Sequence, residues 1–155
     1  CSKAVAFKEA LSPTFKEYCQ QIILNAKHLA NDLAVLGYDI VSGGTDTHLI
    51  LIDLTNKNLT GKYVEKRLEI AGITTNKNMV PFDKKGPMIT SGIRIGTPAL
   101  TTRGMKETEM SEIAIFINNV INNIGNDANL VKIQEEVKNL CNQFPIHMEY
   151  NHEMS

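Results

Sequence analysis

YDIVSGGTDTHLILIDL, residues 38–54, contains two runs of β-branched and aliphatic residues on either side of Gly43-Gly44-Thr45-Asp46. Glycines and a Thr-Asp pair between two such runs form a turn sequence, so residues 38–42 and 48–54 are expected to pair as a β-hairpin. Leu49-Ile50-Leu51-Ile52 is apolar on both faces of an extended chain, which places it in the interior of a sheet rather than at its edge. A phosphate-loop reading of the glycines fails because they precede a strand and open no helix.

On the N-terminal side, Ser12-Pro13 sets a capping residue before a proline at the first helical position. Ile22, Ala26, Leu29, Leu33 and Leu36 then recur at helical spacing up to Gly37, which predicts one long amphipathic helix. Ala4, Val5, Phe7 and Leu11 form a second short stripe whose packing partner is expected upstream of Cys1. On the C-terminal side, Thr60 caps a helix with Val64, Leu68 and Ala71 on one stripe, and Gly72 ends it. Residues 73–75 are expected as a short edge strand and residues 76–90 as a long loop. A strand follows over 91–96. Beyond Thr101-Thr102-Arg103-Gly104 comes a helix burying Ile113, Phe116, Ile117, Val120, Ile121 and Ile124, with Arg103-Gly104 expected to cap or brace the turn into it. A last helix, opened by Asn126-Asp127, buries Leu130, Ile133, Val137, Leu140 and Phe144 and stops at Pro145. The fold class is therefore α+β: a small, mainly antiparallel sheet with helices packed against it, preceded by a long helix. Residues 1–145 are expected to form this domain and 146–155 a flexible tail.

At 155 residues the chain suits one ordinary domain, large enough to bury on the order of 70% of its unfolded surface. A net charge of −1, with lysines interleaved among acids, provides no field to attract phosphate backbones and argues against nucleic-acid binding. Apolar runs fall short of the roughly 20 residues a bilayer crossing needs, which excludes a membrane-spanning helix. Cys1, Cys19 and Cys141 are far apart and lack metal-ligand spacing, in keeping with a reducing compartment. The opening at Cys1, already in a helical pattern, suggests a piece of a longer protein. A cytoplasmic location is expected, with mitochondrial and plastid forms left open.

The chemistry is concentrated in Gly92-Ile93-Arg94-Ile95-Gly96. Alternation sends the isoleucines to one face and Arg94 to the other, between two positions without side chains. A guanidinium there matches a carboxylate in bidentate geometry, which a lysine does not reproduce. The competing reading pairs Arg94 with an internal Asp or Glu, and pattern alone leaves both open. Asn76-Lys77-Asn78, at the mouth of the loop, offers two amides and an ammonium suited to a heterocycle edge, although such residues more commonly form Asx-turns that close a polar loop. His28, His48, His147 and His152 have no metal-ligand spacing, so no metal site is expected. Ser91 lacks His and Asp partners for a nucleophilic triad.

Three strings in register, VSGGTDTHLILIDL (41–54), LTGKYVEKRLEIAGITTNKN (59–78) and TSGIRIGTPALTTRG (90–104), resemble the C-terminal domain of serine hydroxymethyltransferases. The likeness runs from Lys3 to about Pro145. It implies that Arg94 binds the substrate carboxylate and that Asn78 contacts the pteridine of the folate. Gly86, Pro87 and Met88 stand where many bacterial members carry Ser-Pro-Phe beside the folate. The resemblance further implies an enzyme that interconverts serine plus tetrahydrofolate with glycine plus 5,10-methylenetetrahydrofolate, working as a homodimer or homotetramer. Its cofactor is pyridoxal 5'-phosphate, which supplies an electron sink. The family's cofactor-binding lysine belongs to a large domain with no counterpart in these residues, so the chain alone is expected to bind the cofactor poorly and to be inactive. Two alternatives are another pyridoxal-phosphate enzyme of the same fold type, such as a threonine aldolase, and a free-standing non-catalytic module that binds an amino acid or folate.

Overall fold

The computed structural model describes residues 2–146, and the expected tail therefore lies almost wholly outside the described residues. The elements, in chain order, are α1 (Ser2–Ala10), α2 (Pro13–Val35), β1 (Asp39–Ile40), β2 (Leu49–Asp53), α3 (Gly61–Ile70), β3 (Asn76–Asn78), β4 (Gly92–Gly96), α4 (Pro98–Thr102), α5 (Glu107–Asn122) and α6 (Asp127–Gln143). The strands form one antiparallel sheet in the order β1-β2-β4-β3. This is the α+β class expected, with the apolar run of β2 in the sheet interior.

The caps fall where side-chain chemistry put them. Ser12, Thr60 and Asn126 each accept a hydrogen bond from the backbone N–H three residues on, at 3.2 Å in each case. One face of the sheet, carrying Ile50, Ile52, Ile93 and Ile95, is sealed by Leu29 and Leu33 of α2, Val64 and Leu68 of α3, Ile117 of α5 and Leu130 of α6. Burying each such side chain contributes about 1.5–3 kcal/mol, so this layer is the main source of stability. Helix α1 buries none of its residues: Val5 and Phe7 stay exposed, as does Leu11 just beyond its end.

Three expectations are corrected. The hairpin pairs only Asp39 with Asp53 and Ile40 with Ile52, because residues 41–43 leave the ladder in a tight helical turn with Ser42 at φ 65° and Gly43 at φ 69°. The edge strand is Asn76–Asn78 and not 73–75. Gly72, at φ 81°, reverses the chain, and the N–H of Ile73 still closes the end of α3 on Leu68 O at 2.8 Å, so the backbone reaches β4 only at Asn76. Ladder bonds come from the main chain, which is why a polar Asn-Lys-Asn can form a strand that β-propensity would not assign. Third, Pro98–Thr102 forms a helix of its own before α5, and Arg103 braces a different place. Its guanidinium donates to Cys141 O at 2.8 Å and Phe144 O at 2.9 Å, closing the C-terminus of α6 rather than the turn into α5.

Candidate binding site on the open face of the sheet

Among the described residues no helix covers the second face of the sheet at Arg94, which is exposed. Register puts Arg94 opposite Leu51 on β2 and opposite Asn76 on β3, and puts Gly92 opposite Asp53 and Asn78. Residues directly opposite share a face, so Leu49, Leu51, Asp53, Arg94, Asn76 and Asn78 all lie on this side. Asn78 is a diagonal cross-strand neighbour of Arg94, about 7–8 Å away at the backbone. Alternation thus brings together the two residues singled out in the sequence.

Arg94 is exposed, and among the described residues no acidic side chain lies within ion-pair distance of it. The nearest same-face acid in register is Asp53, diagonal to Arg94, whose Oδ1 already accepts from Thr55 N at 2.8 Å. The internal-partner reading therefore has no counterpart here. The flanking glycines play a different part from the one the sequence suggested. A Cβ at Gly92 would stand 2.7 Å from Val80 Cγ1, and one at Gly96 would stand 3.2 Å from Leu49 Cδ2. The room over the flanking glycines is taken by Val80 and Leu49.

Lys77 does not join its asparagine neighbours. It points to the helix-covered face, where its ammonium pairs with Glu65 Oε2 at 3.4 Å and its backbone N–H donates to Glu65 Oε1 at 2.8 Å. Asn78 spends one amide N–H on Met79 O at 2.7 Å, and its Oδ1 and second N–H have no hydrogen-bond partner among the described residues. Gly86, Pro87 and Met88 are exposed at the tip of the 79–91 loop, where Gly86 O accepts from Ile89 N at 2.9 Å and Thr90 N at 3.0 Å. The loop leaves the sheet at Asn78 and returns at Gly92, its register partner, so its two ends meet beside the open face.

Sequence reading missed Asp83. Its Oδ1 accepts from Lys85 N at 2.9 Å and Ser91 Oγ at 2.7 Å, and its Oδ2 accepts from Ser91 N at 2.8 Å and Val80 N at 3.3 Å. The bond two residues on, to Lys85 N, is an Asx-turn, which Pro-Phe-Asp-Lys-Lys-Gly could have signalled. The Ser91 hydroxyl, and then the Lys85, Ser91 and Val80 amides, hold this carboxyl down from the ordinary 3.8 to about 2, against an opposing effect of desolvation. A carboxyl with a lower pKa in the folded state stabilises the fold fully above its unfolded pKa. That contribution fades as pH falls through about 4 and is gone below about 2. Carbon-detected titration of Asp83 is expected to show a midpoint near 2, and a midpoint near 4 would contradict the four-bond geometry.

A second cluster missed from sequence joins α2 to α5. His28 Nε2 lies 2.9 Å from Ser111 Oγ, which donates to Asp32 Oδ2 at 2.6 Å. With the serine proton directed at the carboxylate, the imidazole is not placed as its base, and the trio serves as an interhelical brace. Among the described residues no group of three His, Cys, Asp or Glu side chains is arranged to hold a metal ion, and no helix is long and apolar enough to cross a membrane.

The fold is an α+β domain in which a helix-backed antiparallel sheet presents one arginine and two asparagines on its open face. Residues 1–117 match the family model described as serine hydroxymethyltransferase, and the chain belongs to that family of pyridoxal-phosphate-dependent transferases. The match covers Arg94, Asn78 and the loop and ends within α5, so α6 lies beyond it.

Among the described residues no lysine lies on the open sheet face beside Arg94 to hold that cofactor covalently. Lys27 pairs with Asp46 at 3.2 Å, Lys57 sits 4.8 Å over the Tyr38 ring, Lys77 pairs with Glu65, and Lys85 Nζ donates to Leu59 O at 3.2 Å. The sheet positions beside Arg94 on the open face are leucine, glycine, aspartate and asparagine, and none supplies an amine.

Proposed function

We propose that this chain is the substrate-carboxylate and folate wall of a serine hydroxymethyltransferase, acting on serine and tetrahydrofolate to give glycine and 5,10-methylenetetrahydrofolate. The observation that carries the reading is the exposed Arg94, without an acidic partner among the described residues, on the same sheet face as Asn78. Arg94 donates two parallel N–H bonds to the amino-acid carboxylate and so fixes the rotation of the whole substrate, an orientation effect. It holds and does not react. Asn78 pairs its free N–H and Oδ1 with the donor and acceptor edge of the pteridine. Gly86, Pro87 and Met88 flank that ring from the loop.

Pyridoxal phosphate and its lysine belong, in this reading, to a domain outside these residues, and the full-length protein works as a homodimer or homotetramer in the cytoplasm. The exposed apolar side chains of Val5, Phe7 and Leu11 support burial against such further protein. Isolated chain mixed with pyridoxal phosphate and glycine is expected to show no near-visible absorbance band beyond that of the same mixture without protein, and a protein-dependent band would contradict this division of labour. The folate role is tested in the full-length enzyme. Asn78→Ala should weaken tetrahydrofolate binding roughly tenfold, the loss of one or two hydrogen bonds, while serine affinity stays within about twofold. Unchanged folate affinity would remove Asn78 from the site.

A further inference from the structure

We propose that Asp83 is a positioning residue for the folate: its carboxylate ties the start, the middle and the end of the 79–91 loop together and so sets where Gly86, Pro87 and Met88 stand relative to Asn78. The inference rests on the folate-wall reading above and assigns the residue that keeps the wall in shape.

The four bonds to Asp83 come from three separate places. Val80 N lies just after β3, Lys85 N precedes the tip, and the Ser91 N–H and hydroxyl lie immediately before β4. Val80 also fills the space over Gly92, and Ser91 is 5% exposed, so both ends of the clasp are fixed in the packed part of the domain. Pro87 and Met88 are exposed at a tip closed by the Ile89 and Thr90 amides on Gly86 O; its C-terminal limb is tied to α3 by Lys62 N on Ile89 O and Gly61 N on Thr90 O, and Asp83 ties its N-terminal limb, which leads from Asn78, to that fixed side through Ser91. Only a carboxylate can accept at both oxygens. In Asp83→Asn one oxygen becomes an NH2 group facing donors, so about half of the clasp is lost. The Lys85 ammonium donates to Leu59 O, and among the described ion pairs none includes Asp83, so hydrogen bonds rather than a counter-charge hold it in place.

The experiment titrates the cofactor-loaded full-length enzyme with tetrahydrofolate in the presence of glycine, and separately with glycine alone. Asp83→Asn should raise the tetrahydrofolate dissociation constant about tenfold and Ser91→Ala several-fold, with glycine binding within about twofold of the unmodified enzyme. Amide hydrogen exchange at Val80, Lys85 and Ser91 should accelerate in Asp83→Asn. Loss of folate and glycine affinity in equal measure would show a general structural role and overturn the proposal. If Asn78→Ala weakens folate binding and Asp83→Asn does not, the clasp is overturned and the folate wall stands. If neither variant weakens it, the folate reading falls and this inference falls with it. Should Asp83→Asn fail to fold, Ser91→Ala, which removes one hydroxyl donor, decides by the same criteria.

Discussion

Replacing Arg94 by lysine in the full-length enzyme is expected to weaken serine binding roughly 30- to 150-fold, with cofactor binding nearly intact. The estimate follows from geometry. A guanidinium gives a carboxylate two parallel N–H bonds from a planar fork, whereas an ammonium on a flexible stem gives one, and a hydrogen bond to a charged group contributes about 2–3 kcal/mol. At about 1.4 kcal/mol per factor of ten, that loss gives the stated range. The charge is conserved, so a long-range electrostatic role for Arg94 would leave affinity almost unchanged. Turnover should fall as well, because a singly held carboxylate can swivel and lose the reactive orientation. Serine kinetics equal to those of the unmodified enzyme would take Arg94 out of the site.

Gly61→Ala is the second large expected effect, and its sign runs against helix propensity. Gly61 opens α3, and alanine is favoured over glycine within a helix by about 1 kcal/mol. A Cβ there, however, would stand 2.1 Å from both Gly92 O and Thr90 Oγ1, of which the first is strand backbone and cannot rotate away. Residues 89–92 are also the ones that fasten the loop: Gly61 N donates to Thr90 O at 3.0 Å, Lys62 N to Ile89 O at 2.9 Å, and Thr90 Oγ1 to Gly92 O at 3.1 Å. Relieving the clash means pushing α3 away from β4. Overpacking of this kind costs about 1–3 kcal/mol or more, and the lost bonds add to it. The net expectation is a destabilisation of about 3 kcal/mol, a fall in melting temperature of roughly 6–12 °C for a chain of this size. Because β4 carries Arg94, serine and folate binding should weaken in the same variant. A melting temperature equal to or above that of the unmodified protein would show that the helix and the strand are less tightly seated than described.

How much of this was legible beforehand depended on which interaction set each feature. Helices whose apolar residues recur every three to four positions, such as Ile22, Ala26, Leu29 and Leu33, were readable because burial of a stripe is written into composition. The facing of Arg94 was readable for the same reason, since Ile93 and Ile95 had to go inward. Features set by main-chain pairing were not. Asn76–Asn78 is a strand because its backbone meets β4, and no side-chain preference announces that. The glycines flanking Arg94 were noticed, yet their reason lies in Val80 and Leu49, whose approach depends on a loop and a neighbouring strand. Asp83 was hidden because three of its four donors are backbone N–H groups, two of them more than two residues away, and an exposed-looking aspartate in a polar loop carries no mark of that. Arg94 and Asn78 could thus be singled out from the sequence, whereas the residues packed and bonded beside them emerged only from the fold.

The reading as a whole depends on Arg94 meeting a carboxylate at the open sheet face. A crystal structure of the full-length enzyme with pyridoxal phosphate, glycine and a reduced folate would address this directly. The expected result is the glycine carboxylate within about 3 Å of two Arg94 nitrogens, with the pteridine bonded to Asn78. A carboxylate held by a different residue, with Arg94 turned to solvent or paired to an acid of the same protein, would contradict it.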